Sequence, residues 1–401
     1  MHQVDGVLAL YYAVLHIWAG AFGSSPVIAR SLSAVFSVAT VPTIYLLARK
    51  LVDREASILA SIFCSTSVFV VTYAQTARPY ALEIFSSTLS LLAFVHFQRQ
   101  PTRLAAFIYM GISGVVIYLH PFGFLTIVAQ LVSLPLLTPN WRNRLPISIA
   151  MALTLALLYV PIAVLQLNDG LSQFDWIPRR ESILELGRPI VTFAGSIALA
   201  IVMTLCCTPL FFAERDRGQR SRIGALVLWF GVPIVVGWTI SLYHPVFVSR
   251  YFASAFPPFA ILVASGVRSI RSEAVSGLAA MLIVALSINA IWLGRNVSSE
   301  DIRDAASFVA DHATPQDAVV IFQPAAIFAF RSELELRREV LRAPIVYPLV
   351  ETRSWSQDLE HIHPSSFALG HYDHVWLVSF DLDRTRYRTL MAHLAKKYVV
   401  K

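Results

Sequence analysis

Apolar stretches of about 16 to 23 residues recur along the chain from residue 31 to residue 293, separated by short polar gaps. A helix of about 20 apolar residues is long enough to cross the hydrocarbon core of a bilayer. The pattern therefore predicts an all-α polytopic membrane protein. Ten spans are predicted, at residues 31–48, 56–73, 80–97, 104–119, 122–138, 145–165, 190–212, 223–242, 250–267 and 274–293.

Basic residues mark every second gap between these stretches. Thirteen lysines and arginines lie in five alternate gaps, at residues 49–54, 99–103, 142–144, 215–222 and 268–271. The other gaps, together with the first 30 residues, hold only seven. Because short cytoplasmic loops are enriched in Lys and Arg, the Arg-rich gaps are predicted to face the cytoplasm of a multi-pass plasma-membrane protein. Residues 1–30 and the tail after residue 294 are then extracytoplasmic.

The N-terminal stretch at residues 8–22 is apolar but only about 15 residues long. It contains His16 together with Tyr12 and Trp18, residue types that favour the membrane interface, so it predicts an interfacial helix and not a span. An outward N-terminal segment needs something to carry it across the membrane. This leads to the expectation that the natural start lies further upstream, beyond a missing first span.

The pattern changes after residue 297. Ser298 with Asp301 three residues later predicts the start of a helix. AVVIF at 318–322 and HVWLVSF at 374–380 predict buried strands, and RTLMAHLAKKY at 388–398 predicts a closing helix. The chain is therefore divided into a transmembrane domain, residues 1–297, and a small extracytoplasmic α/β domain, residues 298–401.

Composition supports the membrane assignment. Hydrophobic residues make up 56% of the chain, charged residues 14%, and the mean hydropathy is +0.62, whereas soluble domains are about 45–50% apolar and about 25% charged. Residues 298–401 hold 12 basic and 14 acidic side chains, so the net charge of +7 comes from the membrane part and predicts no nucleic-acid partner. The three cysteines lie in apolar stretches and predict neither a disulfide nor a metal site.

Ionisable side chains in or beside apolar spans are costly to place there, which makes them candidates for function. Four clusters are predicted to reach the extracytoplasmic face, where arginine would suit the phosphate of an anionic lipid. Their members are Asp5, Tyr11, Tyr12, His16 and Arg30; Gln75, Arg78, Tyr80 and Glu83; His120; and His244, Arg250 and Tyr251.

Each cluster also has a simpler structural interpretation. Arg30 at a helix end could extend to the lipid headgroups. His120 could be a polar turn residue, and Glu83 could pair with Arg78 one helical turn before it. The tyrosines of the first cluster could form an aromatic belt. The functional hypothesis depends on the convergence of the four clusters on one face.

Several motifs together resemble a family. They are HQVDGVLALYYAVLHIW, ARSLSA, ARKLVDREA, YAQTARPYAL and SRYFASAFPPFAIL, spread over residues 1–295. In this order they resemble the bacterial glycosyltransferases of the GT-C superfamily that use polyprenyl-phosphate-linked sugars, in particular actinobacterial mannosyltransferase-like members. That group is related to protein O-mannosyltransferases and to the aminoarabinose transferases of lipid A.

The resemblance implies an inverting transfer at the outer face of the plasma membrane. The sequence predicts no cofactor and leaves open whether a divalent ion assists. A sugar, favoured to be a mannose-like hexose, would move from a polyprenyl-phosphate donor to a glycan, lipid or protein acceptor in the cell envelope. Arg78 would bind the phosphate beside Gln75 and Tyr80, and Arg250 with Tyr251 matches the family's late Arg-Tyr element.

The sequence departs from the family at two positions. The acidic pair that follows the family's first helix is absent, so Asp5 is the catalytic base only by default, and Thr76 replaces a frequent Glu. These departures keep open a catalytically inactive paralogue or truncated form acting as a membrane scaffold. A transporter or lipid flippase is a further alternative, although no convincing internal repeat favours it.

Overall fold

The computed structural model describes residues 9–168, 177, 182–212, 216–295 and 302–321, and beyond them residues 330, 331, 333, 334, 341, 343–346 and 372–378. The chain forms two compact units, Met1–Leu293 and Gly294–Lys401.

The described part of the first unit is helical throughout. Its α-helices are α1 Ala9–Phe22, α2 Pro26–Leu51, α3 Arg54–Ser65, α4 Val68–Ala74, α5 Tyr80–Arg99, α6 Arg103–Leu119, α7 Gly123–Leu137, α8 Trp141–Asn168, α9 Arg188–Ala194, α10 Ile197–Cys207, α11 Pro209–Phe212, α12 Arg217–Ser241, α13 Phe256–Arg268 and α14 Glu273–Arg295. Two 3₁₀ helices lie at Ile183–Gly187 and Ser249–Ala255.

Many of these helices begin at a residue whose side chain caps the first turn. The Ser25 hydroxyl accepts from the backbone N–H of Ile28, with Pro26 as the first helical residue of α2. Asp53 and Asp216 cap α3 and α12 in the same way, each accepting a backbone N–H three residues further along. Such caps satisfy N–H groups that the helix leaves unpaired, so these polar residues fix where the helices start.

Five helices are long and apolar enough to cross a membrane, among the residues that the structure describes. They are Pro26–Leu51, Tyr80–Arg99, Trp141–Pro161, Arg217–Ser241 and Glu273–Gly294. Two bent pairs raise the number to seven if each pair counts as one span. One pair joins α3 to α4 with a bend of 50°, and the other runs from Ile183 through α9, α10 and α11 with a bend of 101°. The protein is therefore a multi-pass membrane protein.

The count of ten spans is not confirmed. Three predicted spans correspond to short helices: α6 has 17 residues, α7 has 15 and α13 has 13. Residues 250–255, predicted as the start of a span, belong to the 3₁₀ helix Ser249–Ala255. A 13-residue helix is about 20 Å long, less than the roughly 30 Å hydrocarbon core.

Burial separates an inner helix from the outer ones. In α13 every residue from Phe256 to Val267 is buried, and the helix packs against α3, α10 and α12. In contrast, α8 and α14 expose most of their apolar side chains; Leu157, for example, is 72% exposed. Exposed leucines on long helices are typical of a lipid-facing surface. The apolar run of α13 is thus explained by the protein core.

A buried network of polar side chains connects α5, α6, α7 and α12. The Tyr109 hydroxyl donates to the Gln130 side-chain oxygen at 2.7 Å, and the Gln130 amide donates to Ser90 at 3.0 Å. Ser90 also bonds Ser113 at 2.9 Å, and the Trp229 indole donates to Ser133 at 2.8 Å. Polar groups buried between membrane helices find partners in one another, which stabilises the bundle.

Two contacts link the basic gaps to one another. Arg268, at the end of α13, forms an ion pair with Glu55 in the first turn of α3. Arg99 donates from its guanidinium to the backbone oxygen of Lys50 at 2.6 Å. Three of the Arg-rich gaps therefore lie at the same end of the helix bundle, as their predicted common side of the membrane requires.

The second unit contains a helix and a parallel sheet. Its described elements are α15 Ile302–His312 and three strands, β1 Ala318–Ile321, β2 Ile345–Val346 and β3 Val375–Val378, in the order β2-β1-β3. Both strand pairs are parallel. Strand β1 is fully buried in the centre, which agrees with its all-apolar sequence. The predicted cap residues Ser298 and Asp301 and the predicted helix at 388–398 lie outside the described residues.

Asp317, directly before β1, joins several parts of this unit. Its carboxylate accepts the Thr314 backbone N–H at 2.8 Å, pairs with His374 at 3.0 Å, and accepts from the Trp376 indole at 3.3 Å. Burial alone would raise the pKa of Asp317, but these hydrogen bonds outweigh it and lower the pKa to about 2.

Candidate functional site

The turn between α4 and α5 carries the second candidate cluster. Helix α4 ends at Ala74, and Pro79 directly precedes α5. Within the turn the Arg78 backbone N–H donates to the Thr76 oxygen at 2.9 Å. Gln75 and Arg78 are exposed, whereas Tyr80 and Glu83 are buried in the first turn of α5. The turn therefore leaves the Arg78 guanidinium open to solvent, above two buried polar side chains.

The fourth cluster meets this turn through Arg250. The Nε of Arg250 donates to the Tyr80 hydroxyl at 3.2 Å, and the guanidinium carbon lies 5.6 Å from the centre of the Tyr251 ring. Arg250 and Tyr251 belong to the 3₁₀ helix, which packs against α5. A planar guanidinium held by a hydroxyl and an aromatic ring is pre-organised to donate two parallel hydrogen bonds to the oxygens of an anionic group such as phosphate.

His120, the third cluster, lies between the other two. Its ring centre is 4.8 Å from that of Tyr251 and 6.4 Å from that of Tyr80. Its Nδ1 accepts the backbone N–H of Phe122 at 3.2 Å, so a neutral ring carries its proton on Nε2. His120 is therefore a buried turn residue before α7, as the simpler interpretation expected, and at the same time part of the cluster.

Tyr73 was not singled out from the sequence, yet it connects these groups. Its ring centre lies 4.6 Å from that of Tyr80, and its hydroxyl is within electrostatic reach of Arg78, Arg250 and Glu83. Because Tyr73 ends an apolar run, the only sequence signal for a functional role is its position at the start of the motif YAQTARPYAL. Arg78 and Arg250, from different segments of the chain, are thus both within electrostatic reach of one tyrosine hydroxyl.

Glu83 is completely buried, and neither carboxylate oxygen has a hydrogen-bond partner within the described part of the protein. The alternative pairing with Arg78 is therefore not formed. The carboxylate lies within electrostatic reach of Tyr73 and Tyr80. A buried carboxyl group without a partner is rare in proteins and calls for an explanation.

The first cluster contributes one residue that reaches Arg78. Tyr11 on α1 is buried, and the charge of Arg78 acts on its hydroxyl. Tyr12 is half-buried and meets the Tyr11 ring edge-on at 5.6 Å. Both pack in a small apolar cluster with Leu32, Leu82 and Leu119. Helix α1 therefore packs near the start of α5, with the Tyr11 hydroxyl within electrostatic reach of Arg78.

Other candidates are placed elsewhere. His16 and Arg30 are exposed on α1 and α2, and His244 is exposed after α12; none of the three contacts the cluster among the described residues. Asp5, the candidate catalytic base, lies outside the described residues. The site that the structure assembles consists of Tyr11, Tyr73, Arg78, Tyr80, Glu83, His120, Arg250 and Tyr251, and we call it the Arg-Tyr cluster.

Two glycines allow the supporting elements to approach closely. A Cβ on Gly237 of α12 would lie 2.3 Å from the Phe252 ring, which sits two residues after Arg250. Gly195 has φ +90° at the bend after α9, and a Cβ there would lie 2.5 Å from the Val68 side chain at the start of α4. The Ser67 hydroxyl donates to the Phe193 oxygen beside this contact. The segment that carries Arg250 thus packs closely on Gly237, and the helix that leads to Arg78 packs closely on Gly195.

The described residues contain no group of three or more His, Cys, Asp or Glu side chains arranged to hold a metal ion. The Arg-Tyr cluster instead offers two guanidinium groups, several phenol hydroxyls and one buried carboxyl group. This combination can bind an anion at its outer side and hydrogen-bond donors deeper inside.

Solved structures of ArnT share this fold. ArnT from Cupriavidus metallidurans in the apo state matches with a TM-score of 0.55 and 14% identity, covering 86% of this chain and 75% of ArnT. ArnT from the same organism bound to undecaprenyl phosphate matches with a TM-score of 0.55 and 14% identity, over 92% of this chain and 78% of that one. The oligosaccharyltransferase from Archaeoglobus fulgidus tethered with an acceptor peptide reaches a TM-score of 0.48 and 13% identity, over 91% and 60%.

The fold defines the class: a multi-pass membrane protein with the fold of ArnT. At 14% identity the similarity concerns the fold alone, and the activity has to be argued from the site. A scan against protein-family models finds no match, and a search of curated proteins finds none either.

Proposed function

We propose that this protein is an integral-membrane glycosyltransferase that transfers a sugar, with a mannose-like hexose favoured, from a polyprenyl-phosphate donor to an acceptor in the cell envelope. The transfer takes place at the extracytoplasmic face and inverts the anomeric carbon. The observation that carries the proposal is that Arg78 and Arg250 both lie within electrostatic reach of the Tyr73 hydroxyl, in a bundle with the fold of ArnT. One of the ArnT structures is bound to undecaprenyl phosphate.

In this proposal the two arginines bind the donor phosphate. Arg78 is exposed and approaches from the α4–α5 turn, while Arg250 is oriented by Tyr80 and Tyr251. As the bond between the anomeric carbon and the phosphate oxygen breaks, the electron pair moves to the phosphate. Fixed guanidinium groups stabilise that developing charge without reorganisation.

The acceptor hydroxyl loses its proton to a carboxylate, assigned to Asp5, as its oxygen bonds to the anomeric carbon. His120 and the tyrosine rings form the apolar and hydrogen-bonding walls around the reacting groups. Gln75 borders the phosphate subsite from the same turn as Arg78. His16, Arg30 and His244 have no assigned role in this scheme.

The test is sugar transfer by purified protein in lipid nanodiscs, with a radiolabelled polyprenyl-phosphate hexose and extracted envelope acceptors. Label should move to the acceptor, and Arg78→Ala and Arg250→Ala should each reduce the rate more than tenfold. Arg271→Ala removes an exposed arginine at the other end of the bundle and is the matched control. Donor binding without any transfer would favour the scaffold alternative, and the absence of donor binding would contradict the proposal.

A further inference from the structure

Glu83 is the one member of the Arg-Tyr cluster that the phosphate scheme leaves unused. It is completely buried in the first turn of α5, and both oxygens are without a hydrogen-bond partner in the described residues. Removing a carboxyl group from water without replacing its hydrogen bonds is strongly unfavourable. A bound ligand with hydrogen-bond donors would therefore replace the hydrogen bonds to water that the Glu83 carboxyl group loses on burial.

The surroundings of Glu83 place it beside the predicted phosphate subsite. The Tyr73 and Tyr80 hydroxyls both interact electrostatically with Glu83 and with Arg250. Tyr80 is at the same time the group that binds the Arg250 Nε. A ligand phosphate held by Arg250 would therefore have its next few atoms near Tyr73, Tyr80 and Glu83. In a polyprenyl-phosphate sugar the phosphate is flanked by the sugar on one side and by the apolar prenyl chain on the other, and these hydroxyl and carboxyl groups match the sugar.

The chemistry of Glu83 selects what it can bind. A carboxylate only accepts hydrogen bonds, so it does not recognise the phosphate, but it suits the hydroxyl groups of a sugar. Charge points the same way. With the donor bound, an ionised Glu83 and one phosphodiester charge would balance the two guanidinium groups, and a neutral sugar would preserve that balance. An amino sugar would add an uncompensated positive charge to a buried site.

We propose that Glu83 accepts hydrogen bonds from the hydroxyl groups of the donor's sugar and so determines which donor lipids are bound. This role rests on the proposed function. It makes Glu83 a specificity-determining residue, separate from the arginines that hold the phosphate and from the base that activates the acceptor. The aromatic faces of Tyr73 and Tyr80 provide the adjoining wall against which a sugar ring packs.

The experiment compares two ligands with the full-length protein in nanodiscs: undecaprenyl phosphate and undecaprenyl-phosphate mannose. The wild type should bind the sugar-bearing lipid more tightly. Glu83→Ala should weaken binding of that lipid by about 10- to 100-fold, the range for a lost charge-assisted hydrogen bond, and leave binding of undecaprenyl phosphate unchanged. Glu83→Gln preserves the shape of the side chain and one acceptor oxygen, so its affinity for undecaprenyl-phosphate mannose should fall by about three- to tenfold. Arg78→Ala should weaken both ligands equally.

Gln98 gives a matched control. It is on the same helix, buried, and without a side-chain partner in the described part of the chain, but about 22 Å further along α5. Gln98→Ala should change neither affinity. If both Glu83 variants retain the wild-type ratio of affinities, or lower both affinities in parallel, the role of Glu83 is wrong while the proposed function stands. If Glu83→Ala does not fold, Glu83→Gln decides. If the wild type binds neither lipid, both proposals fail.

Discussion

The Nε of Arg250 donates to the Tyr80 hydroxyl at 3.2 Å, a contact between residues 170 positions apart in the sequence. It joins the 3₁₀ helix Ser249–Ala255 to the first turn of α5. Each of these two segments lies next to an apolar run, and neither would define a site alone. The bond brings the segment of Arg250 to the turn that carries Arg78, which is the basis of the proposed phosphate subsite.

Removing this bond should therefore affect ligand binding more than folding. Tyr80→Phe retains the ring that packs on Tyr73 and His120 but loses the hydroxyl that orients Arg250. We expect undecaprenyl phosphate to bind about 0.5–1.5 kcal/mol more weakly, the usual net contribution of one hydrogen bond, with little change in melting temperature. Tyr118→Phe removes a comparable hydroxyl, bonded to the Leu158 oxygen at 2.7 Å, and is the control. Equal effects of both variants on binding would contradict the orienting role.

The bend at Gly195 should be sensitive to any side chain. Gly195→Ala places a Cβ at φ +90° and 2.5 Å from Val68, so we expect a loss of about 1–3 kcal/mol in unfolding free energy. Gly231→Ala, inside α12 with nothing within 4 Å of its Cβ, should be neutral or stabilising. Thermal unfolding in detergent compares the two. Val68→Ala should recover only a small part of the loss, because it removes the Cγ atoms that the new methyl group meets at 2.5 and 2.9 Å but leaves the Val68 Cβ at 2.5 Å and the backbone strain. Identical melting temperatures for both glycine variants would refute this account.

Asp317 predicts how the second unit responds to acid. Its folded-state pKa of about 2 lies below the unfolded value of about 3.9. The carboxylate therefore stabilises the fold above pH 4, and that stabilisation disappears as the pH falls towards 2. Hydrogen exchange of the full chain should show β1 and β3 losing protection over this interval. Asp317→Asn should be less protected at pH 5 and should change less between pH 5 and pH 2. The same acid response in both proteins would exclude Asp317 as its source.

The charge pattern predicts which end of the bundle is cytoplasmic. Single cysteines replacing Gln75 and Arg271, in a background where the three native cysteines are alanine, occupy exposed positions at the two predicted faces. A membrane-impermeant maleimide added to intact cells should label the cysteine at position 75 and not the one at 271. Detergent should make both reactive. Labelling of position 271 alone in intact cells would invert the topology and remove the extracytoplasmic site.

Hydrophobic periodicity was sufficient to predict a helical membrane bundle but not the number of its spans. The run at 250–267 has the composition of a span, yet α13 is apolar because it is surrounded by protein. The run at 190–212 reads as one helix, but Gly195 breaks it. The Gly195-Ser196 pair is a weak sequence signal for this break, since glycine also occurs within membrane helices. Strand β2 was missed because two residues, Ile345 and Val346, carry no periodicity.

The candidate site was partly predictable because ionisable residues stand out against an apolar background. Arg78, Tyr80, Glu83, His120, Arg250 and Tyr251 were singled out on that ground, and the structure brings them together. Tyr73 was missed because a tyrosine at the end of an apolar run looks like an interface residue. His16, Arg30 and His244 were included because the sequence reveals which face of the membrane a residue approaches, but not the direction of its side chain around a helix.

The central claim is that Arg78 and Arg250 bind the phosphate of a polyprenyl lipid, and its most direct test is the dissociation constant for undecaprenyl phosphate in nanodiscs. Arg78→Ala should weaken binding by about 1.5–3 kcal/mol, and Arg78→Lys should restore only part of it, because an ammonium group cannot replace the guanidinium fork. The control Arg271→Ala should bind like the wild type. If folded Arg78→Ala and Arg250→Ala proteins both bind undecaprenyl phosphate with wild-type affinity, the phosphate site lies elsewhere and the account is contradicted.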